Sequence, residues 1–138
     1  MTSEKSCGAV VFTKDNGIVN YVIVESNDGV FGFPKGNTEA GESEHETALR
    51  EIFEETGLKV KIIDGFREEN LYTFEKGGAV HAKLAIYFAA EFSHKTPVPQ
   101  PSEIRSISLC PLEEAVSKLT FDSSKQILQK AHAFICGR

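Results

Sequence analysis

The most constraining stretch is residues 43–57, because both ends of a helix are written into it. Ser43-Glu44-His45-Glu46 has capping-box form, with Ser at the N-cap and Glu three residues later. Gly57 supplies the left-handed position that stops the helix at about Thr56. At roughly 100° per residue, Ala48, Leu49, Ile52 and Phe53 form one apolar stripe. Glu51, Glu54 and Glu55 gather on the opposite side, with Glu44 near them. The helix must therefore lay its stripe on a partner and leave its acids facing something else.

The partners on either side are β-prone. Cys7–Phe12 and Ile18–Val24 flank the turn signal Lys14-Asp15-Asn16-Gly17 and read as a hairpin. Ser26-Asn27-Asp28-Gly29 marks another turn, and Phe31–Gly36 is rich enough in Gly and Pro to read as an ordered loop. Leu58–Ile63 resumes a strand pattern. Phe66–Phe74 and Val80–Phe92 read as a second hairpin, and His94–Pro101, with Pro97, Pro99 and Pro101, as a loop. Arg105–Leu109 alternates like a half-buried strand. Pro111 can open a short helix, Leu112–Leu119, and Asp122 or Ser123 can cap a last one ending near Ile135. The expected fold is α/β: one domain over residues 1–138, a mixed β-sheet sandwiched between α-helices.

A chain of 138 residues buries a core without staples. Its 41% hydrophobic and 25% charged residues are ordinary globular values. No run is long enough to span a membrane, and the N-terminus has no signal-peptide core, so a cytoplasmic location is expected. Cys7, Cys110 and Cys136 are far apart and odd in number, which argues against disulfides or a zinc site; all three read as buried hydrophobes in a reducing compartment. A net charge of −5 without a basic run disfavours nucleic acid as a partner. An anionic small molecule would need a local inversion of the field, which a bound cation supplies.

Glutamates at i, i+3 and i+4 crowd like charges at a cost of a few tenths of a kcal/mol per pair, roughly, in an isolated helix. A hard divalent cation such as Mg²⁺ turns that cost into a gain and accepts phosphate oxygens as well. A solvated acidic face is the bland alternative. The surrounding spacing decides between them: Gly36, five residues, Glu42, seven residues, Arg50-Glu51-Ile52, one residue, Glu54-Glu55, one residue, Gly57-Leu58. This resembles the complete signature box of the Nudix hydrolases, at residues 36–58. The resemblance implies hydrolysis of phosphoanhydride bonds in nucleoside polyphosphates, with Mg²⁺ as cofactor and Mn²⁺ also able to serve. It implies Glu51, Glu54 and Glu55 as metal ligands, Arg50 as the residue that orients them, and the backbone carbonyl of Lys35 facing the metal. Glu42 braces the loop against the helix.

A second resemblance spans nearly the whole chain and is to the diadenosine tetraphosphate hydrolases that cut asymmetrically to ATP and AMP. It rests on Ser6–Phe12, Asp64-Gly65-Phe66, Tyr72, the Lys83-x-x-x-Tyr87 pattern, Glu103, Leu112–Ala115 and His132-x-Phe134. It implies Glu103 as a further ligand or general base, against an exposed loop acid. Lys83 is a phosphate contact or a snorkelling surface lysine. Phe31, Tyr72, Tyr87 and Phe134 are base-stacking rings or core. Phe31 replaces the Trp of many relatives, and Asn37 a frequent His. His45, His81 and His94 are left to surface or core. A small-molecule substrate and a monomer or weak dimer are expected. Competing readings are a nucleoside triphosphate pyrophosphatase, with Asn37 or Asn70 at the base edge, removal of pyrophosphate from RNA 5′ ends, and a non-catalytic nucleotide sensor.

Overall fold

The computed structural model describes residues 2–93, 96–100 and 103–137, Thr2 by its backbone alone. His94 and Pro101, and with them part of the proline-rich loop, lie outside the described residues. Along the chain run β1 (Thr2–Asp15), β2 (Ile18–Ser26), β3 (Phe31–Gly32), β4 (Lys35–Asn37), α1 (Glu44–Thr56), β5 (Lys61–Lys76), β6 (Ala79–Glu91), β7 (Ile104–Cys110), α2 (Leu112–Lys118) and α3 (Asp122–Cys136).

The first hairpin turns on Asn16 and Gly17, both at positive φ (50° and 79°), which is the geometry a two-residue turn needs to match the twist of its strands. β1 then pairs in parallel with β6 over its whole inner length, Cys7 opposite Ile86 and Val11 opposite Ala90. The sheet order is β3-β2-β1-β6-β5, with β4 added to β1 and β7 to β2. Alternation along β1 and β6 sends side chains to two cores. Cys7, Ala9, Val11, Ile86 and Phe88 meet Ala48 and Ile52 of α1 on one face. Val10, Phe12, Ala85 and Tyr87 meet Leu128, Ala131 and Ile135 of α3 on the other. The mixed sheet between helices is therefore as expected.

Several elements depart from the sequence reading. Leu58–Ile63 and Phe66–Phe74 do not form separate strands: Lys61–Lys76 is one strand, broken in register between Ile63 and Arg67. Gly65, at φ 110°, carries the irregularity. The Phe31–Gly36 segment is not free of regular pairing, since Phe31–Gly32 pairs with β2 and Lys35–Asn37 with β1. The stripe on α1 is rotated from the expected one. Leu49 and Phe53 are 40% and 47% exposed, whereas Thr47, Ala48, Ile52, Glu55 and Thr56 are buried. The i, i+4, i+7 row through Ala48, Ile52 and Glu55 faces the sheet, and this drives one acid of the cluster into the protein. The N-cap of α3 is Phe121, without a side-chain bond, rather than Asp122 or Ser123. Cys136 is exposed, unlike buried Cys7 and Cys110.

Candidate active site

The helix bearing the acids is fixed at both ends. Ser43 Oγ accepts from Glu46 N at 3.1 Å, and Ser43 N donates to Glu46 Oε1 at 2.8 Å. Gly57, at φ 72°, donates its N–H to Phe53 O at 2.8 Å. Between these caps Arg50 ties the preceding loop to the acidic face. Its Nε donates to Glu42 Oε2 at 2.7 Å, Nη2 to Glu42 Oε1 and Asn37 O at 3.0 Å each, and Nη1 to Glu51 Oε1 at 2.8 Å and Glu54 Oε2 at 3.3 Å. The hydrogen bonds from Arg50 hold the Glu42 carboxyl down at about 2, and Glu42 also accepts from Glu39 N and Thr47 Oγ1. Glu42 is thus the loop's anchor, as read from the box, and Arg50 fixes one oxygen of Glu51.

Glu51, Glu55 and Glu103 each place a carboxylate oxygen within 4.8 Å of the other two. Glu54 is outside that group, with its side chain 52% exposed and turned toward Arg50. Glu103, far along the chain from α1, is brought to the helix end by backbone hydrogen bonds from the segments on either side of it. Val98 N donates to Thr56 O at 2.8 Å, Gln100 N to Glu55 O at 3.2 Å, and Ile104 N to Gln100 O at 2.8 Å. Asn27 N donates to Glu103 O at 3.1 Å. On the other side, Lys35 N donates to Glu55 Oε1 at 3.3 Å. Gly36 passes Glu51 so closely that a Cβ there would lie 2.0 Å from its carboxylate.

Burial raises the Glu55 carboxyl to about 8; Glu51 and Glu103 add to the rise, and the Lys35 N–H and ammonium oppose it. Burial also raises Glu51, against the pull of Arg50. The Lys35 ammonium is held below its usual range by burial and by Lys83, with Glu55 and Glu51 opposing.

A cavity of about 520 Å³ opens beside this cluster, and Glu55 and Lys35 line it together with Phe31, Tyr72 and Tyr87. Four of the six side chains read as substrate-facing therefore converge. Tyr87 is buried, edge-on to Phe33 at 5.3 Å. Tyr72 is 38% exposed and stands opposite Lys83 across the β5–β6 ladder. Lys83 is not among the residues that line the cavity, although its charge is felt at Lys35. Phe134 packs elsewhere, its ring 5.6 Å from Phe66, and does not line the cavity. Sequence reasoning missed Phe121, Ser123 and Ser124 at the start of α3 and Ser26 and Asp28 in the β2–β3 turn, all in the cavity wall. None belongs to a motif. His45 and His81 rest against Phe88 and Phe74.

The NUDIX domain family matches residues 3–131. The chain belongs to the Nudix family. It is 32% identical over 144 residues to the asymmetrical bis(5′-nucleosyl)-tetraphosphatase of Mus musculus, covering 96% of this chain and 95% of that protein. It is likewise 32% identical to the Sus scrofa enzyme of the same name, over 145 residues. In structure it is similar to a C. elegans Ap4A hydrolase binary complex, with a TM-score of 0.87 at 24% identity, covering 98% of this chain and 99% of that one. This Nudix protein is a hydrolase acting on phosphorus-containing acid anhydrides. No helix among its described residues is long and apolar enough to cross a membrane.

The Nudix site fits a divalent cation on its own chemistry. The donors are carboxylate oxygens, the set that hard cations take. Burial and mutual repulsion both lift the Glu55 carboxyl, a cost that a cation among these groups would remove. The close pass of Gly36 over Glu51 leaves no room for a side chain between loop and acids.

Proposed function

We propose that this Nudix hydrolase is a divalent-cation-dependent enzyme that cuts diadenosine tetraphosphate asymmetrically, to ATP and AMP. The observation that carries the reading is that one cavity is lined both by the aromatic rings of Tyr72 and Tyr87 and by Lys35 and Glu55. Glu51, Glu55 and Glu103 would hold the ion, Mg²⁺ or Mn²⁺, with the carbonyl of Lys35. Glu54 is the further carboxylate on the same helix, and its exposure leaves it unpacked. When bound, the ion supplies positive charge to polyphosphate oxygens, where negative charge builds as phosphorus is attacked.

The chain's own residues supply the rest. Lys35, and Lys83 behind it, offset phosphate charge. Arg50 holds Glu51 in one orientation through a charge-assisted bond. Tyr72 and Tyr87 offer π faces for a base, worth about 1–3 kcal/mol per stacked base. Glu103 and Glu55 are the candidates for accepting a proton from the attacking water. A cytoplasmic monomer or weak dimer belongs to the same proposal.

The test is a panel of dinucleoside polyphosphates and nucleoside triphosphates with Mg²⁺, the products separated by chromatography. ATP plus AMP in equal amounts from diadenosine tetraphosphate is expected. Pyrophosphate release from a nucleoside triphosphate, with the tetraphosphate left intact, would contradict it.

A further inference from the structure

Among the described residues the wall of the cavity contains one side-chain amide, Asn70, and its geometry suits a base edge. Along β5 the residues Glu68, Asn70 and Tyr72 alternate onto the sheet face that carries α3. In register they stand opposite Tyr87, Ala85 and Lys83. Asn70 is thus set between two tyrosines, and across from it lies only the methyl group of Ala85, which leaves space above the strand. From the other side α3 brings its first turn to the same place. Asn70 Nδ2 donates to Ser123 Oγ at 3.2 Å, and both residues line the cavity.

That bond gives the amide a direction. It uses one of the two Nδ2 hydrogens, and among the described residues no other group pairs with the Asn70 amide. The Oδ1 acceptor and the second N–H remain for a ligand. An acceptor beside a donor on one rigid plane complements an adenine edge, whose 6-amino group donates next to a ring nitrogen that accepts. A guanine edge presents a carbonyl at that position, so its oxygen would face Oδ1. Reversing the amide would require Ser123 to turn its hydroxyl from acceptor to donor.

We propose that Asn70, oriented by Ser123, reads the edge of the base in this cavity and makes the enzyme prefer a 6-aminopurine to guanine. This rests on the preceding reading that a base occupies the cavity against its aromatic rings. Asn70 is a specificity residue here and takes no part in the reaction at phosphorus.

The experiment measures kcat/KM for diadenosine and diguanosine tetraphosphates, and separately the equilibrium binding of ADP and GDP by calorimetry, for the wild type, Asn70→Asp, Asn70→Ala and Ser123→Ala. The wild type is expected to favour adenine by about tenfold, the scale of one well-placed base contact. Asn70→Asp offers two acceptors, which suit the ring N–H and 2-amino group of guanine, and should move the ratio toward guanine by about tenfold. Asn70→Ala should bring it near one, and Ser123→Ala should fall between. Equal use of the two bases by the wild type, or ratios in both Asn70 variants within twofold of the wild type, would overturn the assignment. If the wild type cuts neither tetraphosphate, the proposed substrate fails, and the ADP/GDP binding ratios still decide the role of Asn70.

Discussion

Gly36 is the residue at which one methyl group reports most on the site. The loop crosses Glu51 with no space for a Cβ, which would fall 2.0 Å from the carboxylate. Gly36→Ala must push Glu51 off its position or lift the loop, and either shift moves a group that has to act within fractions of an ångström. Turnover should fall by about 100-fold, the cost of a misplacement near 1 Å, while far-UV circular dichroism stays unchanged. Activity within threefold of the wild type would mean that the loop and Glu51 do not act together. This requirement was legible in the sequence only as a glycine at a fixed distance from Arg50. The reason for it, close passage over a carboxylate and not a left-handed turn, needed coordinates. Arg50 and Glu42 were legible in the same way, and their mutual bonds follow from complementary charge.

At the scale of elements, the helix α1 was readable in full because its caps are local chemistry. Its orientation was not. A wheel groups Leu49 and Phe53 with Ala48 and Ile52 by hydropathy alone, and it has no means of placing Glu55 inside. Packing against β1 and β6 chose the row through Ala48 and Ile52, so a buried carboxylate came with it. The opposite end of the helix shows how the element is tied down. Glu44 accepts from Arg67 Nε and Nη2 at 2.9 Å each and lies 2.7 Å from Lys5 Nζ. The Arg67 hydrogen bonds, aided by Lys5, lower its carboxyl to about 2 from the usual 4.5. A depressed carboxyl stabilises the fold at pH above the unfolded value and loses that contribution as pH falls through the folded one. Glu44→Gln should therefore cost about 1 kcal/mol above pH 5, a figure kept small because Arg67 is 41% exposed. That difference should shrink to nothing as pH falls from 4.5 toward 2. Urea unfolding across this range checks it, and a difference that does not change with pH would show the pair to be silent.

For the molecule as a whole, hairpins and the mixed two-sided sheet were legible from alternation and turn residues. The parallel pairing of β1 with β6 was not, since nothing local in either strand names its partner. That pairing and the backbone bonds of Val98, Gln100 and Ile104 bring Glu103 beside Glu51 and Glu55, and add a distant carboxylate to the pair on α1. Resemblance named Glu103, but no spacing could have. Lys83 and Phe134, named in the same way, are not among the residues that line the cavity, Phe134 because it packs over Gly65 and Phe66. The assembled group is proposed to hold a divalent cation beside the cavity that Tyr72, Tyr87, Lys35 and Glu55 line. Titrating Mn²⁺ into the wild type, Glu55→Gln and Glu103→Gln, with bound ion read by electron paramagnetic resonance, tests it most directly. Saturable binding is expected in the wild type, weakened at least about tenfold in each variant with turnover lost in parallel. Unchanged Mn²⁺ affinity in both variants would contradict it.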